Sequence, residues 1–156
     1  MNSAEQMKTM DIERRRRWIG LLAKATLQEL EQGWSQIESK PEYTFIRVPE
    51  TGQIMIRART GGVGPQFNLG EMTMSRCAVR LANGYIGFGY TAKHQKRHAE
   101  LAAVFDAMMQ DPVYRSMIET TVIEPVADRE QHKRSVSATK IASTNVDFFT
   151  LVRGDD

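Results

Sequence analysis

Five arginines, Arg47, Arg57, Arg59, Arg76 and Arg80, supply every positive charge between residues 43 and 91. No lysine falls in that stretch, and only Glu50 and Glu71 oppose them. A guanidinium group is a planar, permanently charged fork that binds phosphate, phosphonate or carboxylate through two parallel hydrogen bonds. On a strand over 53–59, Arg57 and Arg59 share the face opposite Ile54 and Ile56. On a strand over 73–81, Arg76 and Arg80 share the face opposite Cys77, Val79 and Leu81. If both strands turn their apolar sides to one core, four guanidinium groups gather on the other side, with Met55, Met72 and Met74. Gly87 and Gly89 are expected to leave room above the sheet there. The competing reading is a solvated face whose arginine stems cover apolar surface.

Other groups carry weaker signals. The loop Gly61-Gly62-Val63-Gly64-Pro65-Gln66 could bring backbone N–H groups close to an anion. It lacks the Gly-Lys-Ser/Thr of a phosphate-binding P-loop, and a strand rather than a helix is expected after it, so a long hairpin loop is the better explanation. His94 and His98 stand four apart on an expected helix and could reach one metal, with His132 as a distant third ligand. Two exposed histidines near a helix start are the commoner explanation, and no metal site is expected. Arg14 to Arg17 cover one helical turn, but Asp11 and Glu13 beside them argue for a solvated turn. Cys77 reads as a small core residue. No Ser–His–Asp spacing and no carboxylate pair stands out, so no catalytic residue is expected in this chain.

The elements that must position these groups follow from periodicity. Asp11 is a plausible cap for a first helix with the stripe Trp18, Leu21, Leu22 and Ala25. Thr26 and Glu29 form a capping box ahead of Leu27, Leu30, Trp34 and Ile37. Residues 43–48 and 53–59 read as two strands around a Pro49-Glu50-Thr51-Gly52 turn. A third strand leads to Asn83-Gly84, a strong hairpin signal, and a fourth carries Ile86, Phe88 and Tyr90 on one face. A helix over 94–110 presents Leu101, Val104, Phe105 and Met108 to the sheet. Asp111-Pro112 starts another helix, Pro125 interrupts it, and 126–143 continue as a poorly amphipathic helix, either solvated or completed by another chain. Val146, Phe148, Phe149, Leu151 and Val152 form a short terminal strand, apolar on both faces. The expected fold is α+β: N-terminal helices, an antiparallel meander of about four strands, a covering helix, long C-terminal helices and that terminal strand. Residues 1–156 form a single domain, with 1–10 as a flexible tail.

Composition bounds the function. The 156 residues hold 21 basic and 19 acidic side chains, too balanced and too apolar, at 41% hydrophobic, for a disordered chain. Residues 1–42 and 92–135 each hold seven basic and seven acidic groups and 136–156 a net −1, so the positive excess, +3, belongs to the sheet segment 43–91. One cysteine excludes a disulfide-built domain. No run approaches the roughly 20 apolar residues of a membrane span, and the first seventeen residues lack the apolar segment of a secretion signal. A cytoplasmic protein with no membrane association is expected.

Three motifs in order then resemble one family. They are ETGQIMIRARTGGVGPQFNLGEMTMSRCAVRL over 50–81, HAELAAVFDAMMQ over 98–110 and VDFFTLVRGD over 146–155. Together they resemble the PhnG family, the G subunits of the bacterial carbon–phosphorus lyase system for phosphonate use. The resemblance implies a hetero-oligomer with the H, I and J subunits, with the ATP-binding-cassette-type K and L subunits as further candidates. It implies that, with H, I and L, the chain supports displacement of adenine from ATP by an alkylphosphonate, giving an α-D-ribose 1-phosphonate 5-triphosphate. Catalysis of that step is placed on I, and radical cleavage on J with its iron–sulfur cluster. No cofactor is expected in this chain, whose single cysteine cannot hold a cluster; ATP is a substrate of the complex.

The family motif picks out Arg59, Gly61, Gly62, Gly64, Thr73, Arg76, Arg80, His98 and Glu100 as anion-binding or subunit-interface residues. Arg57, Phe67 and Gly70 lie within the same segment. Phe148, Phe149 and Arg153 are implied as interface, with Asp147 and Gly154 in the same motif. The sequence departs from the family where a Gly-Arg-Asp is expected and Lys93, His94 and Gln95 stand instead. An independent single-stranded nucleic-acid or anion-binding module on the sheet arginines is the alternative. Small net charge and few aromatics on the expected arginine face weigh against nucleic acid, and a zinc enzyme is a distant third.

Overall fold

The computed structural model describes residues 3–143, with side-chain environments for 10–140. Helix α1 is Ser3–Leu22 and α2 is Leu27–Ser35. Asp11 lies inside α1 rather than capping it. The capping box closes as expected: the Glu29 N–H donates to Thr26 Oγ1 at 3.2 Å and the Thr26 N–H to Glu29 Oε2 at 2.6 Å.

The sheet has three antiparallel strands in the order β1 (Tyr43–Arg59), β2 (Gln66–Leu81) and β3 (Ile86–Ala92). The expected turn at Pro49–Gly52 is instead a continuation of β1. Register shifts at Phe45/Arg47 and Arg47/Glu50 absorb the extra residues, including Pro49. A bulge accommodates a proline without reversing the chain, because it needs no ladder hydrogen bond there. The expected first two strands are therefore one.

Helix α3 (Lys96–Gln110) covers the sheet and is almost wholly buried. Leu101, Val104, Phe105 and Met108 are each 0% exposed and meet Cys77, Val79 and Leu81 of β2. Asp111 caps α4 (Pro112–Ile118), accepting from the Val113 N–H at 2.9 Å. Pro125 does not interrupt the chain. A π turn over Glu119–Ile123 joins α4 directly to α5 (Glu124–Ser143), with the proline in the first turn of α5. The helix runs on through it, the wider π turn taking up the break in the hydrogen-bond ladder that a proline imposes. Residues 131–140 of α5 are all exposed. The expected terminal strand, with Phe148, Phe149 and Arg153, lies outside the described residues.

Candidate functional site

Register decides which side chains share a face, since residues directly opposite in an antiparallel pair point the same way. Ser75, Cys77, Val79 and Leu81 of β2 face α3; Arg76 and Arg80 face outward. Arg76 stands opposite Glu50 and Arg80 opposite Thr44. Farther along β1, Ile54 stands opposite Met72 and Ile56 opposite Gly70, so these isoleucines lie on the face of Arg76 and Arg80. Arg57 and Arg59 alternate with them and lie on the other face. Arg59 also pairs with Gln66, ten residues from Arg76 along β2, which is roughly 30 Å at strand rise. The four guanidinium groups thus do not gather. Their expected cluster assumes that Ile54 and Ile56 face the core, whereas pairing with Met72 and Gly70 puts both on the outer face.

The outer face is built from β3 as well. Tyr90 lies opposite Arg76, Phe88 opposite Ala78 and Ile86 opposite Arg80. Phe88 and Tyr90 are 40% and 41% exposed, so this face carries the aromatics expected elsewhere. Glu50 Oε1 accepts from Arg76 Nε and from Arg47 Nη1, each at 2.7 Å. Those two hydrogen bonds hold the Glu50 carboxyl below its ordinary range, so it stays ionised and is no proton donor near neutral pH. Among the described residues Arg80 has no hydrogen bond or ion pair, and it borders an open hollow with Pro41, Glu42 and Thr44. Chemically, this face can hold one further anionic group at Arg80, flanked by exposed aromatic rings.

Gly87 and Gly89 do not make room on that face. They point toward α3, where a Cβ on Gly89 would sit 1.9 Å from the Ala99 carbonyl oxygen and one on Gly87 2.0 Å from that of Ala103. They let the helix backbone lie directly on β3.

The loop glycines serve the turn between β1 and β2. Gly61 and Gly62 adopt φ of 58° and 83°, the left-handed region that favours glycine. The Gly64 N–H donates to the Thr60 carbonyl at 2.8 Å, and Arg59 Nη1 to the Gly64 carbonyl at 3.3 Å. Two of the groups expected to meet an anion are thus committed within the loop. Thr73 lies at the base of this hairpin, where its carbonyl accepts from the Lys93 N–H at 2.8 Å.

His98 and Glu100 lie on the covered side, away from the arginines. His98 is 1% exposed rather than solvated. Its Nε2 meets the Leu22 carbonyl at 2.9 Å, which requires a proton on that nitrogen. Burial lowers its pKa, opposed by the Leu22 hydrogen bond, and favours the neutral ring. Glu100 Oε1 accepts from the Tyr43 hydroxyl at 2.7 Å, and Oε2 pairs with Arg97 at 3.2 Å. Burial, reinforced by Glu100, pushes the Tyr43 phenol up to about 12. These two motif residues tie α3 to the α1–α2 turn and to β1. Burial likewise pushes the Cys77 thiol up to about 11, with the Glu100 charge adding to it, so it is no thiolate nucleophile.

The Lys93-His94-Gln95 departure has a structural reading. Lys93 has φ of 73°, the one non-glycine residue at positive φ among the described residues. Gln95 is the N-cap of α3 and makes no side-chain cap bond. Glycine and aspartate, the residues expected from the family pattern, suit these two positions. Lys93→Gly should therefore stabilise the protein by up to about 1 kcal/mol, the relief of left-handed strain less the glycine's unfolded-state entropy. A urea midpoint at or below the parent's would refute this.

One constellation gives no motif in the sequence. Asp106 of α3 is fully buried and accepts from Arg15 Nη2 at 2.8 Å, Arg15 Nε at 3.2 Å, Trp18 Nε1 at 2.8 Å and the Phe88 N–H at 2.9 Å. Arg15 also donates to the Ile86 carbonyl at 3.0 Å and lies over the Phe88 ring. The lone carboxylate inside the run LAAVFDAMM is the signal that could have found it. The network fastens α1 along the free edge of β3, and it separates Arg15 from the solvated turn expected for 14–17.

Among the described residues, no three His, Cys, Asp or Glu side chains group to hold a metal ion. None of the described helices is long and apolar enough to cross a membrane. The family model described as "Phosphonate metabolism protein PhnG" matches residues 13–154. A curated relative from Rhizobium meliloti (strain 1021) is 44% identical over 156 residues, covering 100% of this chain and 99% of the relative. It is named "Alpha-D-ribose 1-methylphosphonate 5-triphosphate synthase subunit PhnG".

Proposed function

This chain belongs to the PhnG family of phosphonate metabolism proteins, and we propose that it acts as a subunit of α-D-ribose 1-methylphosphonate 5-triphosphate synthase in the bacterial carbon–phosphorus lyase system. The full-length identity to a named subunit of that synthase is the observation that carries this reading. In the reaction, the glycosidic bond between ATP's ribose and adenine breaks. A bond forms from the same ribose carbon to a methylphosphonate oxygen, and adenine leaves. The partners are the H, I and J subunits, with K and L joining the larger assembly, in the cytoplasm. ATP and methylphosphonate are substrates of the complex, and this chain contributes no cofactor.

Its own contribution is binding rather than bond chemistry. The groups on the outer sheet face are permanently charged arginines, an ionised Glu50 and aromatic rings. Arg80, the cation of that face without a partner among the described residues, is the residue best placed to meet a phosphonate or triphosphate oxygen, or a carboxylate of a neighbouring subunit. The nucleic-acid alternative gains Phe88 and Tyr90 beside Arg76. It loses ground because Glu50 already engages two of the three arginines there.

Adenine release from ATP and methylphosphonate tests this reading. The reconstituted synthase should release adenine, this chain alone none, and the remaining subunits without it only background. Release by this chain alone would overturn the non-catalytic role, and full release without it would overturn the role in the synthase.

A further inference from the structure

The hairpin formed by the far ends of β1 and β2 leaves the body of the protein. Strand β3 pairs with Met74–Arg80 alone, so among the described residues Gln66–Thr73 has no third strand beside it. Helix α3 begins at Lys96, next to the base of the hairpin, where the Gln95 N–H donates to Ser75 Oγ at 2.9 Å. Beyond that point residues 53–73 form a two-stranded arm extending about 23 Å, at strand rise over seven residues. Among the described residues, neither of its edges has a neighbouring strand.

This arm is apolar where a solvated ribbon should be polar. Met55 is 51% exposed, Phe67 45%, Leu69 62% and Val63, at the tip, 92%. Ile54, Ile56 and Met72 are only half-covered, on the face opposite Met55. Solvent-facing edges are ordinarily blunted by lysines, yet no lysine lies between Lys40 and Lys93. A two-stranded ribbon alone is marginal in water. Apolar side chains on both faces suit a cleft that closes around the ribbon rather than a flat surface.

Charge indicates the kind of cleft. Among the described residues, Arg57 is exposed without a hydrogen bond or ion pair, and Arg59 reaches only a loop carbonyl. Glu71 is the single acidic residue of 53–73. A second copy of this chain would bring arginines against arginines, whereas a carboxylate-bearing surface would pair with them.

We propose that this arm is the docking element of the subunit, inserted into an apolar cleft of a different subunit whose rim carries carboxylates facing Arg57 and Arg59. The inference rests on the synthase-subunit reading and adds the surface through which assembly occurs.

Hydrogen exchange on the full chain, alone and in the complex co-expressed with the other synthase subunits, tests it. Amides of 53–59 and 66–73 should slow on assembly. The double variant Phe67→Asp/Leu69→Asp, and separately Arg57→Glu/Arg59→Glu, should weaken assembly about tenfold or more. Their melting temperatures should stay unchanged, because the replaced side chains are exposed. A complex that forms with the arm unprotected and both variants neutral would overturn the inference and leave the subunit reading standing. Failure of the parent chain to join any synthase subunit would overturn both. Concentration-dependent protection of the arm in the isolated chain would assign it to a second copy. Protection by a single-stranded oligonucleotide would assign it to nucleic acid. Either result would overturn the proposal.

Discussion

Replacing Gly89 by alanine is expected to cost at least about 3 kcal/mol, enough to leave much of the protein unfolded under native conditions. The added methyl would lie 1.9 Å from the Ala99 carbonyl oxygen, 2.6 Å from the Ala103 nitrogen and 3.0 Å from the Ala99 carbonyl carbon. All three are backbone atoms of one helix, so no side chain can rotate aside. The only relief is retreat of α3 from β3, which opens the contact between the helix's fully buried face and Cys77, Val79 and Leu81. Close packing forfeits attraction quickly with such a gap. Gly52→Ala is the control, because nothing lies within 4 Å of the new atom. Urea denaturation should show the Gly52 variant near the parent and the Gly89 variant far below it. Equal midpoints for all three would mean that the helix does not rest on the strand as described.

Asp106→Ala should cost about 3–5 kcal/mol, the usual consequence of removing one partner of a buried charge pair. Its carboxylate accepts from two other elements, Arg15 and Trp18 on α1 and the Phe88 N–H on β3, and Arg15 donates in addition to the Ile86 carbonyl. Without it, the indole N–H and the strand N–H lose their acceptor, and each unsatisfied buried donor adds its own penalty. Arg15→Ala should cost less, since Arg15 is 31% exposed and Asp106 keeps its Trp18 and Phe88 donors. Denaturant unfolding of the two variants measures the asymmetry. A cost for Asp106→Ala below that of Arg15→Ala would show that the carboxylate is not the centre of the network.

Much of the fold is legible residue by residue. Thr26 with Glu29, and Asp111 before Pro112, are local rules in which one side chain satisfies a backbone N–H a few positions away. Such rules need no distant partner, and both close as read. Cys77, Val79 and Leu81 alternate correctly because β2 keeps its pleat there. The misreadings share one cause. Pro49–Gly52 has the composition of a turn, but β2 offers a ladder on which a bulged strand can continue. Pro125 has the look of a breaker, but a π turn just before it lets the helix run on.

The candidate site was less legible for the same reason. His98 and Glu100 carry polar groups that suggest chemistry, yet one is spent on the Leu22 carbonyl and the other on Tyr43 and Arg97. Residues so far apart in the chain give no spacing signal for these pairings.

By itself, the sequence determined the family, the α+β class, the segments that fold and the restriction of positive charge in the sheet to arginine. Each follows from composition, short-range periodicity or contiguous motifs, which a linear chain records directly. Tertiary structure alone decided where those arginines point. A one-residue slip in pairing moves a side chain to the opposite face, and the slips in β1 exist only because β2 lies beside it. Strand pairing sets Arg76 and Arg80 on the face of Phe88 and Tyr90, and leaves Arg57 and Arg59 on the other face of an arm that no other part of the described chain covers.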